Sequence, residues 1–213
     1  MAGTPRLVVV SAGLSQPSST RLLADRLAEA TRRRLAEAGR EAAPRVVELR
    51  GLATEIAGHL VTGFPAPALR EALEAVSGAE GLIVVTPVFA ASYSGLFKSF
   101  FDLVEPDALA GTPVLIAATG GTPRHSLVLD HALRPLFTHL HATVVPTGVY
   151  AAAEDWGGGG DALTPTLPVR VDRAAGELAA LLPERSRDAG DGAEQEVVPF
   201  AERLAALRRN SRA

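Results

Sequence analysis

Cysteine is absent from this chain of 213 residues, and methionine and tryptophan occur once each. The first absence removes thiolate metal ligands, a cysteine nucleophile and any disulfide framework, while remaining neutral about compartment. Charge of one sign is scarce too: 21 Lys and Arg against 24 Asp and Glu leave a formal net charge of -3. That balance argues against nucleic acid as the main partner and is small for a dedicated acidic electron carrier. No membrane span is implied, and MAGTPRLVVVSAG enters a strand-like run too short for a signal sequence, so a cytoplasmic location is expected. Two motifs are also missing. Without G-x-x-x-x-G-K-[ST] there is no sign of a magnesium-bound triphosphate, and without a G-x-S-x-G elbow Ser126 and Asp130 make no hydrolase site. His139 and His141 would diverge on a helix, so no metal site is expected, and Gly157 to Gly160 lacks the flanking strand and helix that a phosphate cradle needs.

What the chain does have is apolar order. With 47% hydrophobic and 21% charged residues it can bury the core of one ordinary domain plus extras. Leu7 to Val10, Leu82 to Thr86 and Pro113 to Ala118 are runs without polar alternation, as strands buried on both faces of a parallel sheet require. Arg45 to Leu49 reads as a more polar edge strand and Thr143 to Pro146 as a fifth strand. Helical spacing follows in Arg21 to Leu35, Pro67 to Val76, Gly95 to Val104 and Leu127 to Phe137, whereas Gly51 to Pro65 has no firm period. The stripe Phe97, Phe100, Phe101 and Val104 needs a partner surface. Strands alternating with helices predict an α/β fold of three layers, α/β/α, over a five-stranded parallel sheet in the flavodoxin-like order 2-1-3-4-5. This domain occupies residues 1–150. Residues 151–213 are expected to form a C-terminal extension with a Gly-rich linker and short helices, at Arg173 to Leu182 and around Phe200, Leu204 and Leu207.

In that strand order the exit loops of strands one, three and four lie side by side, with the switch point between strands one and three. SAGLSQPSST brings Ser11, Ser18, Ser19 and Thr20 to a helix start that favours an anion, such as a phosphate monoester, although Ser18 alone is equally explained as an N-cap. In TPVFAASYSG, Pro87 fixes the chain's exit, small Ala90 and Ala91 admit a flat ring, and Phe89 and Tyr93 are either ring neighbours or core. In TGGTPRHS, Gly120 and Gly121 allow positive φ and close backbone approach, and His125 either faces the ring or caps the next helix. Lys98 is either a surface residue or a functional charge.

Together SxxxSxxSST after strand one, TPVFAASYSGLFKSFFDL after strand three and ATGGTPRHSLVLDHALRPLF after strand four resemble the NAD(P)H-dependent FMN reductases, over about Leu7 to Tyr150. The nearest type is the reductase of two-component monooxygenases. Gly13 and Leu14 stand where that family often has an arginine. The resemblance implies a flavoprotein oxidoreductase that uses NADPH or NADH to reduce FMN, assembles as a homodimer or homotetramer, and passes reduced flavin to a luciferase-like monooxygenase. By motif position it implies that Ser11, Ser18, Ser19 and Thr20 hold the phosphate, and that Pro87, Val88, Phe89, Ala90, Ser92 and Tyr93 face the isoalloxazine. Thr119, Gly120, Gly121 and Thr122 would line its other edge. No catalytic side chain is expected, because hydride transfer needs no protein acid or base at the reacting carbon. The alternatives are a non-enzymatic flavodoxin-like electron carrier, which would retain FMN without oxidising a nicotinamide, and a quinone or azo reductase with bound FMN. The apolar stripe at Phe97, Phe100 and Phe101 and the tail face at Phe200, Leu204 and Leu207 predict an oligomer.

Overall fold

Three buried runs set the frame. In the computed structural model, which describes residues 4–157 and 165–183, β1 (Leu7–Ser11), β3 (Gly81–Phe89) and β5 (Pro113–Gly120) lie side by side and parallel. Their aliphatic side chains are enclosed on both faces: Val9, Val10, Ile83, Val84, Leu115 and Ile116 are all fully buried. β2 (Arg45–Glu48) pairs with β1 as the edge strand; its charged ends Arg45 and Glu48 are exposed, while Val47 is buried.

The fifth lane differs from the expected single strand. β6 (Thr143–Val144) pairs with the start of β5 and β7 (Val149–Ala152) with its end, so the lane is split around Val145–Gly148. Pro146 lies in the gap, where it need not donate to a ladder. Numbered along the chain the order is β2-β1-β3-β5-β6, because a two-residue strand, β4 (Ser92–Tyr93), folds back antiparallel on β3. The five-lane parallel architecture is the predicted one.

One face of the sheet carries α1 (Ser19–Glu37) and α6 (Leu167–Leu181), packed through Leu23, Leu27, Leu35, Val171, Ala174, Ala175 and Leu178. The other carries α2 (Ala53–Thr62), α3 (Pro67–Ser77), α4 (Gly95–Phe101) and α5 (Arg134–His139). A π-helical turn at Leu129–Leu133 leads into α5, where one continuous helix is expected from sequence. α6 begins six residues before the predicted helix at Arg173, since Pro168 sits in its first turn, where a missing N–H costs nothing. Although it falls in the stretch set apart by sequence, α6 belongs to the core: Arg33 (2.7 Å) and Arg34 of α1 share Asp172, and Arg40 donates to the carbonyls of Ala179 and Leu182, both at 3.1 Å. The apolar stretch at Phe200, Leu204 and Leu207 lies outside the described residues.

The phenylalanine stripe of α4 is core and not a subunit surface. Phe97, Phe100 and Phe101 are at most 1% exposed and pack on one another and on Phe137, with ring centroids of Phe97–Phe101 4.7 Å apart and Phe101–Phe137 5.0 Å apart. The large apolar side chains left exposed are elsewhere, at Leu60, Val61, Phe64, Phe89 and Leu127 among others. No helix among the described residues is long and apolar enough to cross a membrane.

Candidate functional site

At the carboxyl edge of the sheet the exits of β1, β3 and β5 enclose a cleft of about 530 Å³, within the usual range for a small-molecule site. The first wall is the loop into α1. Ser18 is the N-cap, its Oγ accepting from the Arg21 N–H at 3.2 Å. The first turn of α1 contains no acidic residue, which leaves the positive end of the helix dipole uncompensated. Gly13 lets the loop close over the cap: a Cβ there would stand 2.1 Å from Ser18 Oγ. Thr20 turns inward, and its Oγ1 shares a buried 2.8 Å hydrogen bond with Thr119 Oγ1, tying the first loop to the third.

The second wall is a hairpin. β3 continues past Thr86 through Pro87, Val88 and Phe89, turns at Ala90 and Ala91, and returns as β4, with Val88 opposite Tyr93 and Phe89 opposite Ser92. Both turn residues take positive φ, +47° and +65°, as a two-residue hairpin demands and alanine resists. Thr86 anchors the base: its buried hydroxyl accepts from the Ser94 N–H and donates to the Pro87 carbonyl, each at 3.0 Å. Ser94 in turn caps α4, its Oγ accepting from the Phe97 N–H at 3.2 Å.

The third wall is the end of β5. Neither Gly120 nor Gly121 uses the positive φ that glycine allows; the close approach is what requires glycine at 120, where the Tyr150 hydroxyl would stand 2.1 Å from a Cβ. That hydroxyl donates to the Thr122 carbonyl at 2.7 Å. Burial, with Asp155 adding repulsion, holds the Tyr150 phenol above its ordinary pKa, so it stays a donor at neutral pH.

Of the residues singled out by sequence, Ser19, Thr20, Pro87, Val88, Phe89, Thr119, Gly120 and Gly121 line this cleft. The others are placed around it. Ser11 is buried at the end of β1 and Ser18 caps α1. Ala90 is at the hairpin tip, Ser92 is in β4, and Tyr93 packs against Phe97 with centroids 5.9 Å apart. Thr122 caps the short turn Pro123–His125, in which His125 is exposed. Lys98 pairs with Asp102 on the surface, and His141 reaches Asp107 at 2.9 Å. No cluster of three metal-ligating side chains occurs among the described residues. The cleft adds four residues that loop reasoning missed, Leu14, Ser15, Ala153 and Trp156. The last two come from the 3-10 turn Ala153–Trp156 after β7, and the signal that could have revealed them was the apolar run Val149–Ala152.

A parallel sheet in this order, with a polar helix start and two ring-sized walls at its switch point, defines a flavodoxin-like nucleotide- or flavin-binding protein. Residues 5–157 match the family model described as NADPH-dependent FMN reductase. The chain belongs to that family. It is 40% identical over 183 residues to "FMN reductase (NADPH)" of Pseudomonas aeruginosa, covering 85% of this chain and 94% of that protein. Against "NADH-dependent FMN reductase SfnF" of Pseudomonas putida the identity is 42% over 149 residues, 70% and 78% of the two chains. The crystal structure of an oxidoreductase from Corynebacterium diphtheriae superimposes with a TM-score of 0.81 at 47% identity, over 87% of this chain and all (100%) of that one. A flavodoxin, WrbA-like protein from Agrobacterium tumefaciens shares the fold alone, with a TM-score of 0.57 at 14% identity over 85% and 98%.

Proposed function

We propose that this protein is an oxidoreductase that uses NADPH or NADH to reduce FMN in the cleft at the carboxyl edge of its sheet. The observation that carries the reading is the meeting, in one open cleft, of the α1 start, the β3–β4 hairpin and the Gly120–Gly121 turn. These residues fit FMN. An anion-favouring helix start with Ser19 and Thr20 suits the phosphate, and the paired walls of Pro87–Phe89 and Thr119–Gly121 suit a flat ring. The bound flavin supplies the hydride-accepting chemistry. The chain's own part is to bind and orient: Thr20 and Thr119 fix the loops relative to each other, and main-chain dipoles at the β3 and β5 ends would offset negative charge on a ring edge held there. No side chain needs to move a proton.

Mixing the protein with FMN and either NADPH or NADH should oxidise the nicotinamide, read from its absorbance; no rate above a protein-free control with both nucleotides overturns the reading. Comparing the two rates assigns the nucleotide preference.

Three finer points belong to the same reading. The reduced flavin is delivered to a luciferase-like monooxygenase, as the motifs imply, and half-exposed Leu14 and Phe89 leave the cleft open for its departure. A flavin-dependent luciferase with its long-chain aldehyde and dioxygen, supplied with the protein, FMN and nucleotide, should emit light; FMN that stays with the protein and gives no light counts against delivery. The protein forms a homodimer or homotetramer through exposed apolar residues such as Val61 and Phe64, which light scattering tests directly. Its setting is the cytoplasm, where the nicotinamide nucleotides are available.

A further inference from the structure

The cleft has a fourth wall, built by a segment outside all three motif loops. Trp156, the chain's one tryptophan, lines the cleft together with Ala153. Its indole is partly buried against the α1–α6 core, and the Arg26 guanidinium of α1 stands 4.8 Å from its ring centroid. One face of the ring is thus occupied by a cation, which polarises and fixes it. Trp156 shares the lining of the cleft with Leu14, Ser15, Ser19 and Thr20.

A partly buried tryptophan on a four-residue turn needs a reason to stay in place, and α6 provides it. Arg170 donates from all three guanidinium nitrogens: Nε to the Pro165 carbonyl at 3.0 Å, Nη1 to the Tyr150 carbonyl and Nη2 to Asp155 Oδ1. Asp155 Oδ2 closes the turn by accepting from the Ala152 N–H at 2.7 Å. The same Tyr150 holds the Thr122 carbonyl on the third wall. A planar fork with three fixed acceptors locks the segment in a way that a lysine cannot.

We propose that Trp156 is a flavin-contacting residue, and that Arg170, acting through Asp155 and the 153–156 turn, is its positioning residue. The inference rests on the reading of the cleft as a flavin site. Because there is one tryptophan, wild-type emission reports on this wall alone, and saturating quenching by FMN is expected. Calorimetry should show the FMN Kd raised about tenfold in W156A and about twofold in W156F, since an aromatic contact is worth a factor of this order. R170M should raise the KM for FMN several-fold more than it lowers kcat. Combined with W156A it should raise Kd less than twofold further, because a residue acting through Trp156 has nothing left to position.

Unchanged Kd in W156A while wild type binds overturns the contact and leaves the flavin reading intact. If wild type itself binds no FMN, both fail. An R170M protein that melts earlier but binds FMN with wild-type affinity overturns the positioning role, as does an R170M effect that multiplies fully with W156A.

Discussion

The hairpin Pro87–Tyr93 and the helix Gly95–Phe101 are neighbours in sequence and opposites in physics. The hairpin is half-exposed, lines a cleft and turns on two alanines with positive φ. The helix is seven residues long, and its three phenylalanines are sealed in a ring cluster with Phe137. Between them stand Thr86 and Ser94, whose buried hydroxyls satisfy the N–H groups where strand, hairpin and helix meet. Backbone strain is tolerated on the side where the cleft needs a wall because the other side is over-determined by packing. Function and stability are therefore segregated within sixteen residues, 86–101, and substitutions on the two sides should separate cleanly.

The largest effect belongs to the helix. Phe101→Ala removes a ring that touches Phe97, Phe100 and Phe137 at centroid distances of 4.7, 5.3 and 5.0 Å, and it should cost about 3–5 kcal/mol in urea unfolding. FMN affinity of the folded fraction should change less than twofold. A large loss of affinity at full folding would break the segregation, since it would make the aromatic cluster part of the site.

The junction comes next. Thr86→Val keeps the shape but leaves the buried Ser94 N–H without its 3.0 Å acceptor, which should cost about 1–3 kcal/mol. Unlike Phe101→Ala it should also weaken FMN binding, because the hairpin base is released. Equal stability with normal affinity would show that the hairpin is held by its ladder alone.

On the third wall, Gly120→Ala forces a Cβ into the Tyr150 hydroxyl. Either the phenol leaves the Thr122 carbonyl or the β5 end shifts, so a roughly tenfold weaker FMN Kd with only a small change in melting temperature is expected, at about 1.4 kcal/mol per decade. If melting falls by many degrees with affinity intact, Tyr150 serves the fold and not the cleft.

How much of this was legible in the sequence follows from the same contrast. Buried parallel strands announce themselves as unbroken apolar runs, and Leu7–Val10, Leu82–Thr86 and Pro113–Ala118 gave the sheet lanes and hence the position of three loop walls. What escaped depended on partners distant in sequence or on weak local signals. The hairpin turn carries Ala90-Ala91 instead of Asn-Gly, so no turn signal marks it. α2 buries fully only Ile56 and so lacks a period to read. β7 follows a break at Pro146–Gly148, and Trp156 is held by Arg170 from a helix beyond the matched motifs. The stripe on α4 was visible, but whether it faced a core or a subunit was decided by Phe137, 36 residues after Phe101.

The smallest effect tests the strained side directly. Replacing Ala90-Ala91 by Asn-Gly supplies residues that adopt positive φ readily, where L-alanine costs about 1–2 kcal/mol per position. Part of that relief is offset by the larger freedom of glycine in the unfolded chain, so a net gain of about 1 kcal/mol in unfolding free energy is expected. Because both positions lie at the hairpin tip and neither lines the cleft, FMN Kd should hold within about twofold. A more stable protein with much weaker binding would instead mean that the alanine turn sets the reach of Phe89 over the cleft, and that the strain is itself part of the binding geometry.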